Sequence, residues 1–334
     1  MRFWAFAAAA ALALTAAGPS GAEPLDLDLM RLGSPNAAVW LAIGENLATP
    51  VTLDAATAAR LAADAKLRFA TLSAETALAF SSPLLQPAST TGHSGFDFGL
   101  EGSYAQVHPA SIGEATFPST PAFGPRTPWQ TRGLVPHELF LPSFHVRKAL
   151  PFSFELGGRV TYLSQSSYFA AQIEGKWALN EGFAYIPDVA LRAAHTQLLG
   201  QRDWNLGATD FGLLVSKRWG VNAVSSVTPY AAARYTFVRA SSETIDFGPV
   251  RANPASPSYD DPGATQASFP SIRKGLYRTT LGLRLTAYIV SMAVEATYFG
   301  GATISGEANP AADQYPDVEL ASTWTGAFRF GWEF

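Results

Sequence analysis

From Gly95 onward, apolar and polar residues alternate with a period of two, the spacing of strands that turn one face to an apolar medium. Residues 95–107 put Phe96, Phe98, Leu100, Gly102 and Tyr104 on one side and Asp97, Gly99, Glu101 and Ser103 on the other. Residues 151–163 set Phe152, Phe154, Leu156, Val160 and Tyr162 against Ser153, Glu155, Arg159 and Thr161. Phe169, Ala171, Ile173 and Trp177 oppose Gln172, Glu174 and Lys176, and Tyr277, Leu281, Leu283 and Leu285 oppose Arg278 and Arg284. The pattern predicts about ten strands, near 95–108, 139–149, 151–164, 168–180, 185–197, 204–219, 227–240, 273–287, 291–299 and 321–334. A missed hairpin within 65–93 would make twelve.

These segments outrun the ~5–6 residues of an average soluble strand and suit a tilted membrane crossing of roughly 9–11 residues. Their apolar faces begin or end in Tyr, Trp or Phe, as expected at the two lipid–water interfaces. Links two–three, four–five, six–seven and eight–nine are short, while 109–138, 241–272 and 300–320 are long and rich in Pro, Gly and Ser. Between Leu285 and Met292 the apolar phase slips from odd to even residues, which requires a turn although no Gly or Pro announces one. An all-β, antiparallel, up-and-down transmembrane barrel over residues 94–334 follows, with both barrel ends on the short-turn side.

Residues 23–93 follow another rule. They are rich in Ala and Leu, and Asp54 is placed to cap a helix through Ala55–Leu61 that continues past Ala65, Phe69 and Leu72 until Pro83 and Pro87 stop it. This stretch reads as a short helical periplasmic extension or a partial plug. Residues 1–22 read as a secretory signal peptide: Arg2, an apolar run from Phe3 to Ala17, and small residues at Ser20 and Ala22 before a cut at Glu23.

Composition narrows the class. Removing Arg2 with the signal leaves 22 basic against 27 acidic residues, too mild a balance to point to nucleic acid. There is no cysteine, which excludes a lipid-anchored export signal and a disulfide-stapled secreted fold. Aromatic residues make up 12% and charged residues only 15%, against about a quarter charged in soluble domains. That combination suits an outer surface in lipid and charges kept inside.

The C-terminal stretch carries the most specific signal. Trp324, Gly326, Phe328, Phe330, Trp332 and Phe334 form one face, and Thr323, Thr325, Arg329 and Glu333 the other. With the signal peptide, this resembles the bacterial outer-membrane β-barrel class, whose final strand commonly ends in Phe after alternating aromatics. The resemblance implies a cell-outer-membrane location, recognition of Phe328, Phe330, Trp332 and Phe334 by the barrel-assembly machinery, and outer-membrane lipids as surroundings. It does not fix function.

The strand phases place Asp97, Glu101, Glu155, Glu174, Asp210, Glu295 and Glu333 inside with Arg147, Arg159, Lys176, Arg192, Arg218, Arg234, Arg278, Arg284 and Arg329. Nine bases against seven acids describe a paired network filling a narrow lumen better than a strongly selective constriction, which would concentrate one sign. No metal-ligand spacing, phosphate-cradling glycine loop or EF-hand pattern is present, so no cofactor is expected. His108 with Asp260 or Asp261 is the nearest approach to a rim protease, and His195 with Ser164–Ser167 to a barrel lipase; both read more simply as ordinary surface groups. The expectation is a small-solute, porin-like pore or gated transporter. The alternative is a closed surface scaffold or adhesin meeting an extracellular partner through loops 109–138 and 241–272, with an outer-membrane enzyme third.

Overall fold

Each alternating segment forms one long strand, because its apolar side chains fall on a single outward face. The computed structural model describes residues 25, 27–81, 83–108, 128–129, 136–304 and 318–334. The signal segment and most of the loop 109–138, with Phe117 and Phe123, lie outside them. The strands are β1 (Phe96–Gln106), β2 (Glu138–Leu150), β3 (Phe154–Tyr162), β4 (Phe169–Asn180), β5 (Asp188–Leu199), β6 (Trp204–Ser216), β7 (Ser225–Ser242), β8 (Ile272–Ala287), β9 (Val290–Phe299) and β10 (Thr323–Glu333). Each pairs antiparallel with its neighbour in the chain, and β10 returns to β1 through Asp97↔Glu333 and Tyr104↔Gly326, so the ring closes at ten. The phase slip after β8 is a two-residue turn, with Ala287 paired to Val290 and Tyr288 in the left-handed region at φ 53°.

The outer wall is apolar. Ile173 is 67% exposed and Leu281 68%, with Leu100, Leu156, Val160, Val294 and Phe328 around the same belt. Water would penalise such a surface, and a bilayer would not. Aromatic pairs mark both edges of the belt. Tyr104–Phe140, Tyr162–Phe169 and Tyr298–Trp324 lie toward the long loops, with ring centroids 4.8, 5.2 and 4.6 Å apart. Phe154–Trp177 and Phe98–Trp332 lie toward the short turns, at 5.4 and 5.3 Å.

Two helices precede the barrel, α1 (Ala37–Asn46) and α2 (Ala55–Phe80). Asn36 caps the first through Ala38 N–H, and Asp54 caps the second with a 2.8 Å bond from Thr57 N–H. That bond holds the Asp54 carboxyl below its ordinary pKa. Before α1, Gly33 takes φ +85° beneath the Trp40 ring, where a Cβ would lie 2.5 Å from Cζ2, so only glycine fits. From Ala62 onward nearly every residue of α2 is buried, on all sides of the helix. A helix buried all round needs a surrounding protein wall, and here that wall is the barrel.

Candidate functional site: the filled bore

The inward faces are of two kinds. Toward the long loops they are apolar: Ala105, Val107, Leu139, Leu141, Leu198, Trp204, Leu206, Val238, Ala240 and Leu276 form one core with Phe69, Leu72, Ala77 and Phe80 of α2. Phe69 stacks on Phe269 of the β7–β8 loop at 4.5 Å, and Phe247 meets the same ring edge-on at 5.9 Å. Small alanines along α2 let a helix fit inside ten strands; eight strands would leave room only for side chains or one small ligand. Polar α2 groups find specific partners: Glu75 accepts bonds from Trp129 Nε1 and from His108, at 3.1 Å to its backbone N–H and 3.2 Å to its ring.

That ring hydrogen bond raises the His108 pKa above its ordinary 6.5. The charged ring therefore contributes stability that is full below about pH 6.5 and fades as pH rises through the higher folded value. A His108→Ala variant should melt below the parent at pH 5.5, with the gap narrowing by pH 8.5. Equal gaps at both pH values would refute the link.

Past the middle of the barrel the wall becomes charged and almost wholly paired. Asp97 meets Arg147 and Arg329, with Arg284 Nη2 at 3.4 Å. Glu155 takes Arg147 at 2.9 Å and Lys176 at 3.2 Å. Glu101 takes Arg159 at 2.8 Å, and His145 bridges Glu101 and Glu174 at 2.9 and 3.0 Å. Arg192 links Glu174 to Asp210, at 2.9 Å to the latter, where Arg234 and Arg278 also converge at 2.7 and 2.9 Å.

Residues 81–91 run through this charged half, and the wall binds their main chain. The Leu84 and Leu85 N–H groups donate to the two oxygens of Glu295, at 2.7 and 2.6 Å. Arg159 donates to Pro83 O at 2.6 Å, and Lys176 to Pro87 O and Ser89 O at 3.3 and 3.0 Å. The C-terminal carbonyls of α2 are capped in the same way: Arg278 reaches Leu78 O at 3.2 Å and Arg234 reaches Ser81 O at 2.8 Å. Glu295 takes its third bond from Tyr230 Oη at 2.9 Å. The Tyr230 ring lies over Gly282, where a Cβ would come within 2.1 Å of it.

Of the residues singled out from sequence, Asp97, Glu101, Arg147, Glu155, Arg159, Glu174, Lys176, Arg192, Asp210, Arg234, Arg278, Arg284, Glu295 and Arg329 are buried on the inner wall. Arg218 stands at the edge of this set, at the mouth with Arg284 and Glu333. It is exposed at the short-turn mouth, 3.1 Å from Ser226, because β6 ends two residues before it. Glu333 sits at the same mouth against Arg284 at 2.5 Å. His145, Gln86 and Tyr230 were not anticipated; His145 shares the parity of Arg147, which was the available signal. His195 faces outward and meets Thr209 at 3.0 Å, and His108 pairs with Glu75 rather than with Asp260 or Asp261.

The described part of residues 23–93 is held at both ends of the barrel. Leu25 N–H donates to Gln165 O at 2.8 Å, Gln201 to Leu27 O at 2.5 Å, and Arg31 to Pro128 O at 2.5 Å. Asn46 donates to Ser258 at 2.9 Å, and Asn253 to Glu45 O at 2.8 Å. Four different connections at the long-loop end thus hold this unit. At the other end Thr90 N–H donates to Glu181 of the β4–β5 turn at 2.7 Å.

Closure at ten strands, an apolar belt between two aromatic girdles, and short turns opposite long loops define the bacterial outer-membrane β-barrel class. The sequence matches no family model and no curated protein. Among solved structures, it is similar to Ail, the attachment invasion locus protein of Yersinia pestis, at 9% identity and a TM-score of 0.25, over 73% of this chain and 100% of that one. It is also similar to Neisserial surface protein A, at 11% and 0.26 over 71% and 95%. The translocator domain of the autotransporter NalP from Neisseria meningitidis aligns at 11% and 0.30, over 82% and 96%. The class rests on the barrel's own geometry, not on these alignments.

Proposed function

We propose that the protein is an integral outer-membrane barrel that works in a sealed state, as a scaffold for the surface assembled at its long-loop end. The observation that supports this reading is the hydrogen bonding of Leu78, Ser81 and residues 83–89 to Glu295, Arg159, Lys176, Arg234 and Arg278, below a half-bore already filled by α2. Hydrogen bonds to charged groups contribute roughly 1.5–3 kcal/mol each. Withdrawing the segment breaks several together and leaves Glu295 with Tyr230 as its remaining partner, too large a cost for thermal opening.

This differs from a simple pore, and it changes the surface-loop reading as well. Loop 241–272 is covered in part by α1, so the proposed binding face is the composite of loop and N-terminal unit. Outer-membrane lipids and the barrel-assembly machinery are its proposed partners in the envelope.

Planar-bilayer recording of the refolded protein should show no steady conductance. Steady single-channel current from the parent protein would overturn the sealed reading. A gated pore is the second reading, supported by the charged wall: with the segment displaced, that half of the bore would hold water. It predicts brief openings that become long-lived in an Arg159→Ala/Lys176→Ala variant.

A further inference from the structure

We infer that this barrel carries its own N-terminal unit across the membrane, so that residues 25–54 stand outside the cell while Thr90–Ser94 stand at the periplasmic mouth. The inference rests on the membrane reading above, but not on whether the bore conducts.

The path of the chain is fixed at three levels. At the first, Leu25, Leu27, Arg31 and Asn46 bond to or are bonded by the β3–β4, β5–β6, β1–β2 and β7–β8 connections, all at one end of the barrel. A cluster of Val39, Trp40 and Ile43 with Ala58 and Leu61 then fastens α1 to the start of α2, with Phe247 and Ala267 of the β7–β8 loop packed against it. At the second level, α2 ends between Arg234 and Arg278 in the middle of the wall. Its 26 residues span ~39 Å at 1.5 Å per residue, enough to reach from above the rim to that depth. At the third, Ala88 N–H donates to Ser216 at 3.0 Å and Thr90 to Glu181, both at the short-turn end, before β1 starts upward at Phe96.

The chain therefore traverses the bore once before building the wall. Outer-membrane barrels keep short turns in the periplasm and long loops outside. An exported chain arrives from the periplasmic side, so the N-terminal unit must have crossed the membrane to reach the long-loop end. A plug that had folded in from the periplasm would leave its N-terminal end at the short-turn mouth, the opposite of what the contacts give. The unit is also built for the outer face: Asn253 and Ser258 from the loop meet Glu45 and Asn46 from α1. Any sequence placed ahead of Leu25 would be displayed on the cell.

The chain has no cysteine, so each single-cysteine variant carries one reactive thiol. Thr49, Asp260 and Asn222 are exposed, at the N-terminal unit, the β7–β8 loop and the β6–β7 turn respectively. Intact cells bearing Thr49→Cys, Asp260→Cys or Asn222→Cys are treated with a membrane-impermeant maleimide, before and after permeabilisation. Thr49→Cys and Asp260→Cys should label to the same extent on intact cells, and Asn222→Cys should gain at least tenfold on permeabilisation. Labelling of Thr49→Cys that needs permeabilisation while Asp260→Cys does not would overturn the inference. So would labelling of Asn222→Cys on intact cells, by inverting the barrel. Neither result touches the bilayer recording, so failure here is distinct from failure of the sealed reading.

Discussion

Replacing Glu295 by alanine is expected to release residues 81–91 from the wall while the ten strands stay closed. The carboxylate is the shared acceptor for Leu84 N–H, Leu85 N–H and Tyr230 Oη, all buried. Each donor stranded without a partner costs about 1–3 kcal/mol, so the loss is on the order of 3 kcal/mol or more. Amide exchange at Leu84 and Leu85 should quicken at least ~100-fold, since 1.4 kcal/mol is a factor of ten in an opening equilibrium. Exchange within β9 should change much less, because its ladders to β8 and β10 do not use the Glu295 side chain. Glu295→Gln keeps one carbonyl oxygen and should fall between the two. Unchanged Leu84 and Leu85 exchange in the alanine variant would remove Glu295 from the account of how the segment is held.

Asp210→Ala is expected to be the most damaging single change in the wall. Arg192, Arg234 and Arg278 converge on this one carboxylate, and Thr236 donates to it at 2.7 Å. Breaking a single buried pair costs ~3–5 kcal/mol, mostly because the remaining charge is left uncompensated. Here three guanidinium groups lose a partner together. Arg192 retains Glu174, while Arg234 and Arg278 retain the α2 carbonyls. Refolding yield and unfolding midpoint in denaturant should both fall sharply. Adding Arg278→Leu should recover part of the loss, since it removes one unpaired cation. A double variant no better than Asp210→Ala would show that packing, not charge, sets the damage.

The barrel was legible because alternation is a strong, long-range signal. The ten predicted segments correspond to the ten strands, and even the unmarked β8–β9 turn was visible as a change of phase between Leu285 and Met292. The paired network was legible for the same reason, since parity alone puts Arg147 and Glu155 on one side. Arg218 keeps that parity past the end of the strand and reaches Ser226 at the mouth, where it is exposed.

The sequence left residues 23–93 as an extension or a partial plug, and a trace of the apolar upper bore exists. Trp204, Leu206 and Ala208 share the inward parity of Asp210, and Leu139 and Leu141 that of Arg147. Strand ends that are apolar on both faces imply something greasy inside as well as outside. The partner itself was harder to see, because α2 is buried on all sides and its alanine-rich sequence shows no amphipathic stripe. No pattern in residues 83–89 could reveal a segment held through its main chain.

The seam between β1 and β10 has a kinetic consequence. It joins parts of the chain as distant as Asp97 and Arg329, 232 residues apart, and it brings Phe334 N–H to Phe96 O at 2.9 Å. Contacts of such long sequence separation form slowly, because the loop entropy is lost before the contact contributes. Until they form, the unfinished wall is a curved sheet with one open side, and a 26-residue helix can enter it sideways. Once the seam zips, entry remains only along the axis, past Arg234, Arg278 and Asp210. Strand closure therefore sets an order: a helix seated before the last strand docks avoids threading past these charges.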